Sequence, residues 1–350
     1  MVHFQAELAN ALAPRVPLEA ITSSSVPASY LSPQVERVTV GTGKGEWTSL
    51  LAALNPASWY RLWKLLAHSR ADLIHITGAH AWNPVIGVFS KLMGKKLVYT
   101  AHDPEEHLGS PLSIRLGNLL TMRMAHAVVV LTRSGRRQLL ARGMPSTKLH
   151  VIPHGIYEFF RGTGSPAIRP GKVVLYFGRF EPYKGIGVLV QAYSRIREQF
   201  PAWRLVIAGA GRLAQRLGVL SGDGVEIHEG FLSDGAVADL MRSARLVVVP
   251  YTAATQSGVI ATAYAFDRPV IATRVGGLAE MVQNGKTGLL VRPNDADALA
   301  RAMRSLMKDP ARLRQMARHV RTLRRGSYRW DRIAQSHAEL YFRLLGEPAN

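Results

Sequence analysis

Two basic residues stand in a turn that suits a phosphate ligand. The stretch YFGRFEPYKG, residues 176–185, places Arg179 and Lys184 between a strand-like run ending near Gly178 and a helical pattern beginning near Gly185. Gly178 lets the backbone approach a ligand closely. A guanidinium fork and a compact ammonium together suit a pyrophosphate. The alternative is two solvated cations in a loop, and the strand-loop-helix context argues against it.

A second stretch suited to an anion begins at Gln256-Ser257-Gly258. These residues follow the apolar run LVVVP and open a pattern of small and apolar residues that predicts a helix. The first amide groups of a helix have no acceptor within it, so the backbone around Ser257, Gly258 and Val259 favours a phosphate. Thr255 and Gln256 carry polar side chains within reach of the same ligand.

Both turns belong to a chain in which short strands alternate with helices. Runs rich in Val, Ile and Leu, such as AVVVLT and RLVIAG, recur in both halves. Such runs with intervening helices predict parallel sheets covered on both faces. Residues 161–171, RGTGSPAIRPG, predict a linker. The expected fold class is α/β, with two doubly wound Rossmann-like domains facing a central cleft and ligands at the carboxyl ends of the strands.

The formal net charge of +20 on 350 residues indicates an anionic partner. Nucleic acid, an anionic membrane surface and phosphorylated substrates are the three classes considered. No known nucleic-acid-binding motif is recognisable, so we expect no nucleic acid partner. The chain has no cysteine, which excludes disulfides and thiolate metal sites. No apolar run approaches the ~20 residues of a membrane span. With no signal peptide pattern, the expected location is cytoplasmic.

Residues 56–70, PASWYRLWKLLAHSR, form a basic amphipathic pattern. Trp59, Trp63 and Leu66 share one helical face, with basic residues nearby. A helix of this type is able to lie on an anionic membrane, which would make the protein peripheral on the inner face of the cell membrane. The alternative is a helix whose apolar face packs on its own sheet.

Several stretches together resemble the retaining family-4 glycosyltransferases of the GT-B type, which contain two Rossmann domains. The motifs that carry the resemblance are GRFEPYKG, IAGAG, HEGFLS, AYAFDRPVIATRVGG, NGKTGLLV and the terminal YRWDRIAQSHAELY. The resemblance is strong across residues 173–341 and weaker across residues 72–155.

The resemblance implies roles for the residues of both turns. Arg179 and Lys184 neutralise the diphosphate of a nucleotide-sugar donor, and the backbone amides of residues 257–259 complete the phosphate site. Gly230 and Phe231 lie beside the nucleotide base.

The resemblance also sets the expected domain limits. An acceptor-side domain covers residues 1–160, the nucleotide-sugar-binding domain covers 161–327, and residues 328–350 form a helix that returns to the first domain. The family begins with a strand and a glycine-rich loop before the helix that HFQAELANALA resembles, whereas Met1 already lies at that helix. Either the strand is absent or the gene begins upstream. We favour the second, because a missing central strand leaves backbone groups unpaired.

Two carboxylates expected from the family are missing. The family carries two glutamates eight residues apart, one near the donor sugar and one on the ribose hydroxyls, and these positions are Ala254 and Thr262 here. Alanine offers the sugar no polar side chain, although Thr255 and Gln256 are within reach. Thr262 is able to donate or accept a hydrogen bond, but unlike a glutamate it cannot accept two in bidentate fashion or carry a charge. Glu280 is either a partial substitute or a helix-capping residue, and the sequence leaves both open.

His102 is the candidate for a catalytic residue. It follows the strand LVYTA. In the family, a histidine at a matching position touches the donor sugar and its backbone carbonyl faces the reacting carbon. The alternative is that His102 and Asp103 cap a helix begun by PEEH. His154 in IPHG has a weaker case and is expected to be structural.

No metal or other cofactor is expected, with the nucleotide sugar serving as substrate. Asp295 and Asp297 in NDADALARAM form a metal-like DxD, but a helix begins there. We therefore interpret both residues as helix-capping residues.

Two functional hypotheses follow. The first is a retaining hexosyltransferase of polysaccharide or glycolipid biosynthesis. It moves a sugar from a nucleotide-diphosphate donor to a hydroxyl acceptor, and a lipid-linked acceptor is one option. The second is a degenerate, non-catalytic relative that binds a nucleotide sugar or serves as a partner subunit of a glycosyltransferase complex. The phosphate-site residues favour the first hypothesis. The missing glutamates and the missing strand favour the second.

Overall fold

The computed structural model describes residues 2–23, 26–41, 55–104, 112–211 and 224–347. The chain divides into two compact units, Met1–Gly155 with Trp330–Asn350, and Ile156–Arg329. The sequence analysis places the limits after residues 160 and 327, and the structure shifts them. Residues 156–160 belong to the second unit because Ile156 and Phe160 are buried in its hydrophobic core.

Strands and helices alternate through both units. The strands are β1 (Glu19–Ser23), β2 (Glu36–Val40), β3 (Leu73–Ile76), β4 (Lys96–Ala101), β5 (Ala127–Val130), β6 (Leu149–Val151), β7 (Val173–Phe177), β8 (Arg204–Gly209), β9 (Val225–Glu229), β10 (Leu246–Val249), β11 (Val270–Thr273) and β12 (Gly288–Val291). The helices are α1 (Val2–Leu12), α2 (Pro56–His68), α3 (Asn83–Leu92), α4 (Leu112–Met124), α5 (Arg133–Ala141), α6 (Ile186–Ser194), α7 (Asp234–Ser243), α8 (Gly258–Ala265), α9 (Leu278–Met281), α10 (Ala296–Met307), α11 (Pro310–Arg325) and α12 (Trp330–Leu345).

The described residues of the first unit form two parallel sheets. β1 pairs with β2, and the other sheet has the order β3-β4-β5-β6. The last helix, α12, belongs to this unit. The ring of Trp330 lies edge-on to Phe4, with centroids 5.4 Å apart, and the hydroxyl of Tyr341 lies 2.6 Å from Nδ1 of His75.

The two tryptophans of α2 pack within the first unit. Trp59 lies against Trp82 with ring centroids 4.7 Å apart, and Trp63 lies edge-on to Phe89 at 5.0 Å. The structure therefore shows the packing alternative for this helix, since Trp59 joins a hydrophobic cluster of this unit and Trp63 contacts Phe89 of the same cluster. Nowhere in the described ranges is a helix both long and apolar enough to cross a membrane.

The second unit contains a six-stranded parallel sheet of order β12-β11-β10-β7-β8-β9. The chain starts in the middle at β7, runs outward through β8 and β9, and returns to β10 on the other side of β7. The strand order reverses between β7 and β10, which is where doubly wound sheets open a ligand crevice at the carboxyl ends of the strands. The expected α/β class with Rossmann-like parallel sheets is confirmed.

Candidate functional site

The loops after β7 and β10 lie side by side at the point where the strand order reverses. The amide of Thr252 donates to the carbonyl of Tyr183 at 2.8 Å. Gly185 has a φ of 67°, and a β-carbon there would overlap the carbonyl oxygen of Pro250. Glycine is therefore required for this close approach. The contact fixes the turn that carries the predicted basic residues.

Gly178 brings the end of β7 beside the first turn of α8. Its φ of 141° is one that glycine adopts readily and other residues avoid. A β-carbon at this position would lie 3.8 Å from the hydroxyl oxygens of Tyr176 and Tyr251 and 3.8 Å from Cγ2 of Val259. The two stretches predicted to bind an anion thus meet in the structure, although 81 positions separate Gly178 from Val259.

The first turn of α8 presents backbone amides at this junction. The helix begins at Gly258, and the side chain of Ser257 caps it by accepting a hydrogen bond from the amide of Ile260 at 3.4 Å. The predicted helix start is confirmed. The first amides of the helix, those of Gly258 and Val259, have no acceptor inside it and suit an anion.

Lys184 is positioned by two aromatic rings. Its Nζ lies 3.7 Å from the ring centroid of Tyr251 and 4.8 Å from that of Tyr183. An ammonium over an aromatic face is attracted to the ring, more strongly where water is excluded. Tyr251 is only 1% exposed, so its ring is a fixed platform. Sequence reasoning missed both tyrosines, and the signal was the position of Tyr251 directly after Pro250 at the end of β10.

Arg179 lies in the same turn and is held less tightly. Its Nη1 is 3.1 Å from Oε1 of Glu181, with 65% and 38% of the two side chains exposed. A pair so open to water contributes at most about 1 kcal/mol. The guanidinium is therefore able to leave Glu181 for a phosphate. The carbonyl of Arg179 accepts a hydrogen bond from the hydroxyl of Tyr176 at 3.0 Å, which fixes the backbone of the turn.

The position of the missing first glutamate is bordered by an unsatisfied amide oxygen. Ala254 lies close to Gly276, where a β-carbon would overlap the carbonyl oxygen of Ala254. Oε1 of Gln256 is buried and has no hydrogen-bond partner within the described ranges. A buried acceptor without a partner costs about 1–3 kcal/mol. Gln256 therefore offers a ligand hydroxyl a place to donate a hydrogen bond. Thr255 beside it is 6% exposed.

The hydroxyl of Thr262 is already engaged in the helix. It donates to the carbonyl of Gly258 at 2.8 Å, and the residue is 3% exposed. Because its proton is used, this hydroxyl is left only with acceptor capacity toward a ribose. Glu280 lies in the short helix α9 and is exposed. Burial, and then the charge of Glu280, raise the pKa of Tyr328, so the carboxylate lies within electrostatic reach of that ring.

Gly230 and Phe231 follow β9 at the same edge of the sheet. Gly230 has a φ of 125°, and its amide donates to the carbonyl of Gly209 at 2.9 Å. The side chain of Phe231 is 95% exposed, an unusual position for a large apolar ring. Their place beside a nucleotide base stays a prediction.

His102 lies in the first unit and is uncharged at neutral pH. Its Nε2 donates to the carbonyl of Thr77 at 2.9 Å, and its ring lies 4.5 Å from that of Phe4. Burial, and then the charge of His154, lower the pKa of His102 to about 3. A histidine with this pKa is a hydrogen-bonding group and not a proton donor at pH 7. The alternative role as a cap for the helix begun by PEEH falls on residues 105–111, outside the described residues.

His102 belongs to a group of four histidines, here called the histidine cluster, formed by the half-buried His75 and the buried His102, His154 and His337. Burial lowers the pKa of His75 well below its usual value, with contributions from the charges of His337 and His102. Burial also lowers the pKa of His154 and of His337 to about 4, while backbone hydrogen bonds oppose it. His154 lies edge-on to Phe4, with ring centroids 5.2 Å apart, which suits the structural role expected for it.

The two aspartates of the DxD motif make a helix cap and an ion pair within the second unit. The side chain of Asp295 accepts a hydrogen bond from the amide of Ala298 at 2.7 Å and caps α10. Asp297 pairs with Arg195 at 2.7 Å. The capping interpretation of Asp295 is confirmed. Across the ranges that the structure describes, no group of three or more potential metal ligands is found.

Two family profiles match the two halves of the chain. Glycosyltransferase Family 4 matches residues 2–157, and Glycosyl transferases group 1 matches residues 171–309. The residues between the two matches include most of the predicted linker.

The relatives include enzymes of polysaccharide and glycolipid synthesis. An exopolysaccharide phosphotransferase of Streptomyces coelicolor is 32% identical over 255 residues, which cover 69% of this chain and 26% of that protein. The chain thus spans about a quarter of that relative's length. A phosphatidyl-myo-inositol mannosyltransferase of Mycobacterium tuberculosis is 27% identical over 318 residues, which cover 84% of this chain and 79% of the relative.

The fold has close counterparts among solved structures. Anabaena Alr3699/HepE in complex with UDP-glucose matches with a TM-score of 0.75 at 20% identity, over 97% of this chain and 96% of that one. The fold is that of an α/β protein of the GT-B type. With both glycosyltransferase profiles matched, the chain belongs to the GT-B glycosyltransferase superfamily.

Proposed function

We propose that the protein is a retaining glycosyltransferase that moves a sugar from a nucleoside-diphosphate donor to a hydroxyl acceptor in polysaccharide or glycolipid biosynthesis. The observation that carries the proposal is the junction where Gly178, Lys184 and the first turn of α8 come together at the carboxyl ends of β7 and β10. The superfamily and the UDP-glucose in HepE support a nucleotide-sugar donor.

The donor diphosphate is bound by charges and amides of the second unit. The ammonium of Lys184, held over Tyr251, and the guanidinium of Arg179 neutralise the phosphates. The amides at the start of α8 add donors that are already oriented, so they stabilise charge on the departing phosphate without reorganising. No metal is needed for this neutralisation, and turnover is expected to persist in EDTA.

The proposed reaction replaces the bond between the sugar and the diphosphate with a glycosidic bond to the acceptor on the same face of the sugar. The bond between the anomeric carbon and the diphosphate oxygen breaks, and its electron pair leaves with the diphosphate. The acceptor oxygen bonds to the anomeric carbon, and its proton passes to the departing phosphate oxygen. A protein carboxylate is therefore not required as a base. His102, neutral at pH 7, is assigned a hydrogen-bonding role, and its contact with the donor sugar stays a prediction.

The residues at the missing glutamate position contribute to sugar binding in another way. The unsatisfied Oε1 of Gln256 accepts a hydrogen bond from a sugar hydroxyl, and the hydroxyl of Thr255 lies next to it in the chain. Glu280 remains a candidate for a sugar contact, although its carboxylate also lies near Tyr328. Thr262 contributes one weak ribose contact. Donor affinity is expected to depend chiefly on the phosphate contacts.

We place the acceptor hydroxyl at an anionic membrane surface on the cytoplasmic side. Four exposed aliphatic side chains lie on the neighbouring helices α3 and α4: Val88, Leu92, Leu116 and Leu120, which are 46%, 69%, 51% and 50% exposed. Exposed apolar side chains on a protein of net charge +20 suit an anionic lipid surface. The phosphatidyl-myo-inositol substrate in a relative's name supports a lipid-linked acceptor.

A second candidate function is donor binding without chemistry. The observation that favours it is the alanine at position 254 and the engaged hydroxyl of Thr262, which together leave the sugar and ribose with fewer contacts. Such a protein would bind a nucleotide sugar or assist a transferase as a partner subunit.

Donor turnover distinguishes the two functions. The chain is incubated with UDP-, GDP- and ADP-sugars, with and without vesicles carrying hydroxyl acceptors. Nucleotide release is measured, and proton NMR gives the anomeric configuration of the product. The proposal expects release of one nucleoside diphosphate, a product with the donor's configuration, and loss of both in Lys184→Ala. Saturable donor binding without release from any sugar nucleotide would favour the non-catalytic function, and an inverted product would contradict the retaining mechanism.

A further inference from the structure

A second cluster of positive charge lies at the opposite edge of the six-stranded sheet from the candidate donor site. A cavity of about 180 Å³ is lined by Arg245, Arg268 and Arg314, and we call it the arginine cavity. Arg245 directly precedes β10, Arg268 lies two residues before β11, and Arg314 lies in α11. The cavity therefore lies where the strands begin, whereas Lys184 and Tyr251 lie after the ends of β7 and β10. All its lining residues belong to the second unit.

Backbone carbonyl groups fix the guanidinium groups of two of these arginines. Nη2 of Arg245 donates to the carbonyl of Pro170 at 3.1 Å. Arg268 donates from Nε to the carbonyl of Met241 at 2.9 Å and from Nη2 to that of Arg242 at 3.1 Å. These bonds orient the side chains without cancelling their charge. Each guanidinium has five N–H donors, so donors remain after these bonds are counted.

The acidic residue of the lining is already occupied by other arginines. The oxygens of Asp267 accept hydrogen bonds from Nε of Arg321 at 3.0 Å and from Nε of Arg324 at 2.9 Å. Within the described ranges, no ion pair within 4.0 Å joins an arginine of the arginine cavity to a carboxylate. The cavity therefore keeps a positive charge that the chain itself does not neutralise.

Burial and the neighbouring arginines both disfavour the positive charge of Arg268. Burial lowers the pKa of Arg268 to about 10; the charge of Asp267 opposes the shift, and the charges of Arg245, Arg161 and Arg321 add to it. A side chain that normally stays charged under all conditions is thus placed where its charge is disfavoured. An anion bound between the arginines would offset this penalty.

We propose that the arginine cavity binds a phosphate group. Guanidinium groups recognise phosphate by parallel N–H bonds, and pre-oriented arginines lose little freedom on binding. The cavity has the volume of about six water molecules, at roughly 30 Å³ each, which is enough for a phosphate and the first atoms attached to it. Pro269 and Leu313 supply an apolar wall, so a phosphate ester with a carbon-bearing body fits better than a bare ion. The phosphate is carried either by a soluble metabolite or by a lipid headgroup.

Binding of inorganic phosphate and of a soluble phosphate monoester is measured by calorimetry at constant ionic strength set with chloride. The chain carries Arg179→Ala and Lys184→Ala in every sample, so that the candidate donor site does not contribute. Arg314→Gln and Arg245→Gln are each added to this background. Arg318→Gln, on the exposed surface of the same helix α11 and outside the lining, is the matched control. Thermal unfolding of each variant without ligand shows whether it folds normally.

A parallel arm tests the lipid source with phosphatidate vesicles against phosphatidylcholine vesicles. In whichever arm binding occurs, we expect Arg314→Gln and Arg245→Gln to weaken it at least fivefold and Arg318→Gln less than twofold. Binding of the soluble monoester identifies a metabolite, and binding confined to phosphatidate vesicles identifies a headgroup. The proposal is wrong if neither probe binds saturably. It is also wrong if, in both arms, a correctly folded Arg314→Gln chain binds as tightly as Arg318→Gln. Neither outcome bears on the proposed transferase function.

Discussion

Replacing Gly258 by proline removes one backbone amide from the proposed phosphate site without disturbing the helix that carries it. Gly258 is the first residue of α8, where proline is tolerated because that amide has no acceptor inside the helix. Ser257 before it has φ −144° and ψ 111°, the extended conformation that a residue preceding proline adopts. The substitution therefore tests the amide and leaves the rest of α8 in place.

The expected loss follows from the value of one hydrogen bond to a charged group. Such a bond contributes about 1.5–3 kcal/mol, which corresponds to a decrease of about tenfold to a hundredfold in affinity for the nucleoside diphosphate. Gly258→Ala is the matched control, because it keeps the amide and places a β-carbon 3.4 Å from Cε2 of Tyr157, an ordinary contact. Thr262→Val removes one neutral hydrogen bond, about 1 kcal/mol, so its turnover should fall by about fivefold at most.

Thermal unfolding with UDP, GDP and ADP first identifies the nucleoside diphosphate that stabilises the chain most. Calorimetry then measures the affinity of each variant for that nucleoside diphosphate. Donor turnover is measured on the same samples, and thermal unfolding without ligand checks that each variant is folded. The reasoning is refuted if Gly258→Pro and Gly258→Ala have equal affinities. It is also refuted if Thr262→Val is as inactive as Gly258→Pro, because a side chain and not the backbone would then dominate the site.

Three further outcomes are expected. Tyr251→Leu removes the platform beneath Lys184 and should weaken nucleoside diphosphate binding by about 5- to 30-fold, for a desolvated cation–π contact of about 1–2 kcal/mol. Tyr251→Phe keeps the ring and loses only the hydroxyl, so a loss as large as that in Tyr251→Leu would contradict the platform. His102, His154 and His337 stay neutral when folded but take up protons below pH 6.5 when unfolded. The free energy of unfolding, measured with urea, should therefore fall by about 2 kcal/mol for each of these three histidines from pH 7 to pH 5; no fall would contradict the lowered pKa values. Flotation should show salt-sensitive binding to anionic vesicles and none to neutral ones, because salt at about 0.1 M screens exposed charges beyond about 10 Å; equal binding to both would contradict attachment by charge.

The architecture was predictable because its signals are local. Strand β5, Ala-Val-Val-Val, is buried throughout, and such runs separated by helical patterns indicate a parallel sheet wherever they occur. The limit between the units was misplaced by a few residues. Gly and Pro mark the linker from residue 161, whereas the apolar residues Ile156 and Phe160 just before it pack into the second core. Which core an apolar side chain joins is decided by packing, which the linker composition does not report.

The site was predictable where it depends on strand ends and not where it depends on side-chain packing. Gly178 and Val259 come together because parallel strands end at one edge of a sheet. The ring of Tyr251 lies under Lys184 because of side-chain orientations, which the position of Tyr251 directly after Pro250 does not determine. The same limit applies to Trp59, since an amphipathic pattern has the same form whether its apolar face packs on Trp82 or on a membrane.

The central claim is that the edge of the sheet between β7 and β10 binds a donor diphosphate through Arg179 and Lys184. The most direct measurement is calorimetry of the selected nucleoside diphosphate with the unmodified chain, Arg179→Ala, Lys184→Ala and the exposed control Arg318→Gln. Each charge-assisted bond contributes about 1.5–3 kcal/mol, so each of the two alanine variants should bind at least about tenfold more weakly, while Arg318→Gln binds as the unmodified chain does. Unchanged affinity in both alanine variants would contradict the claim.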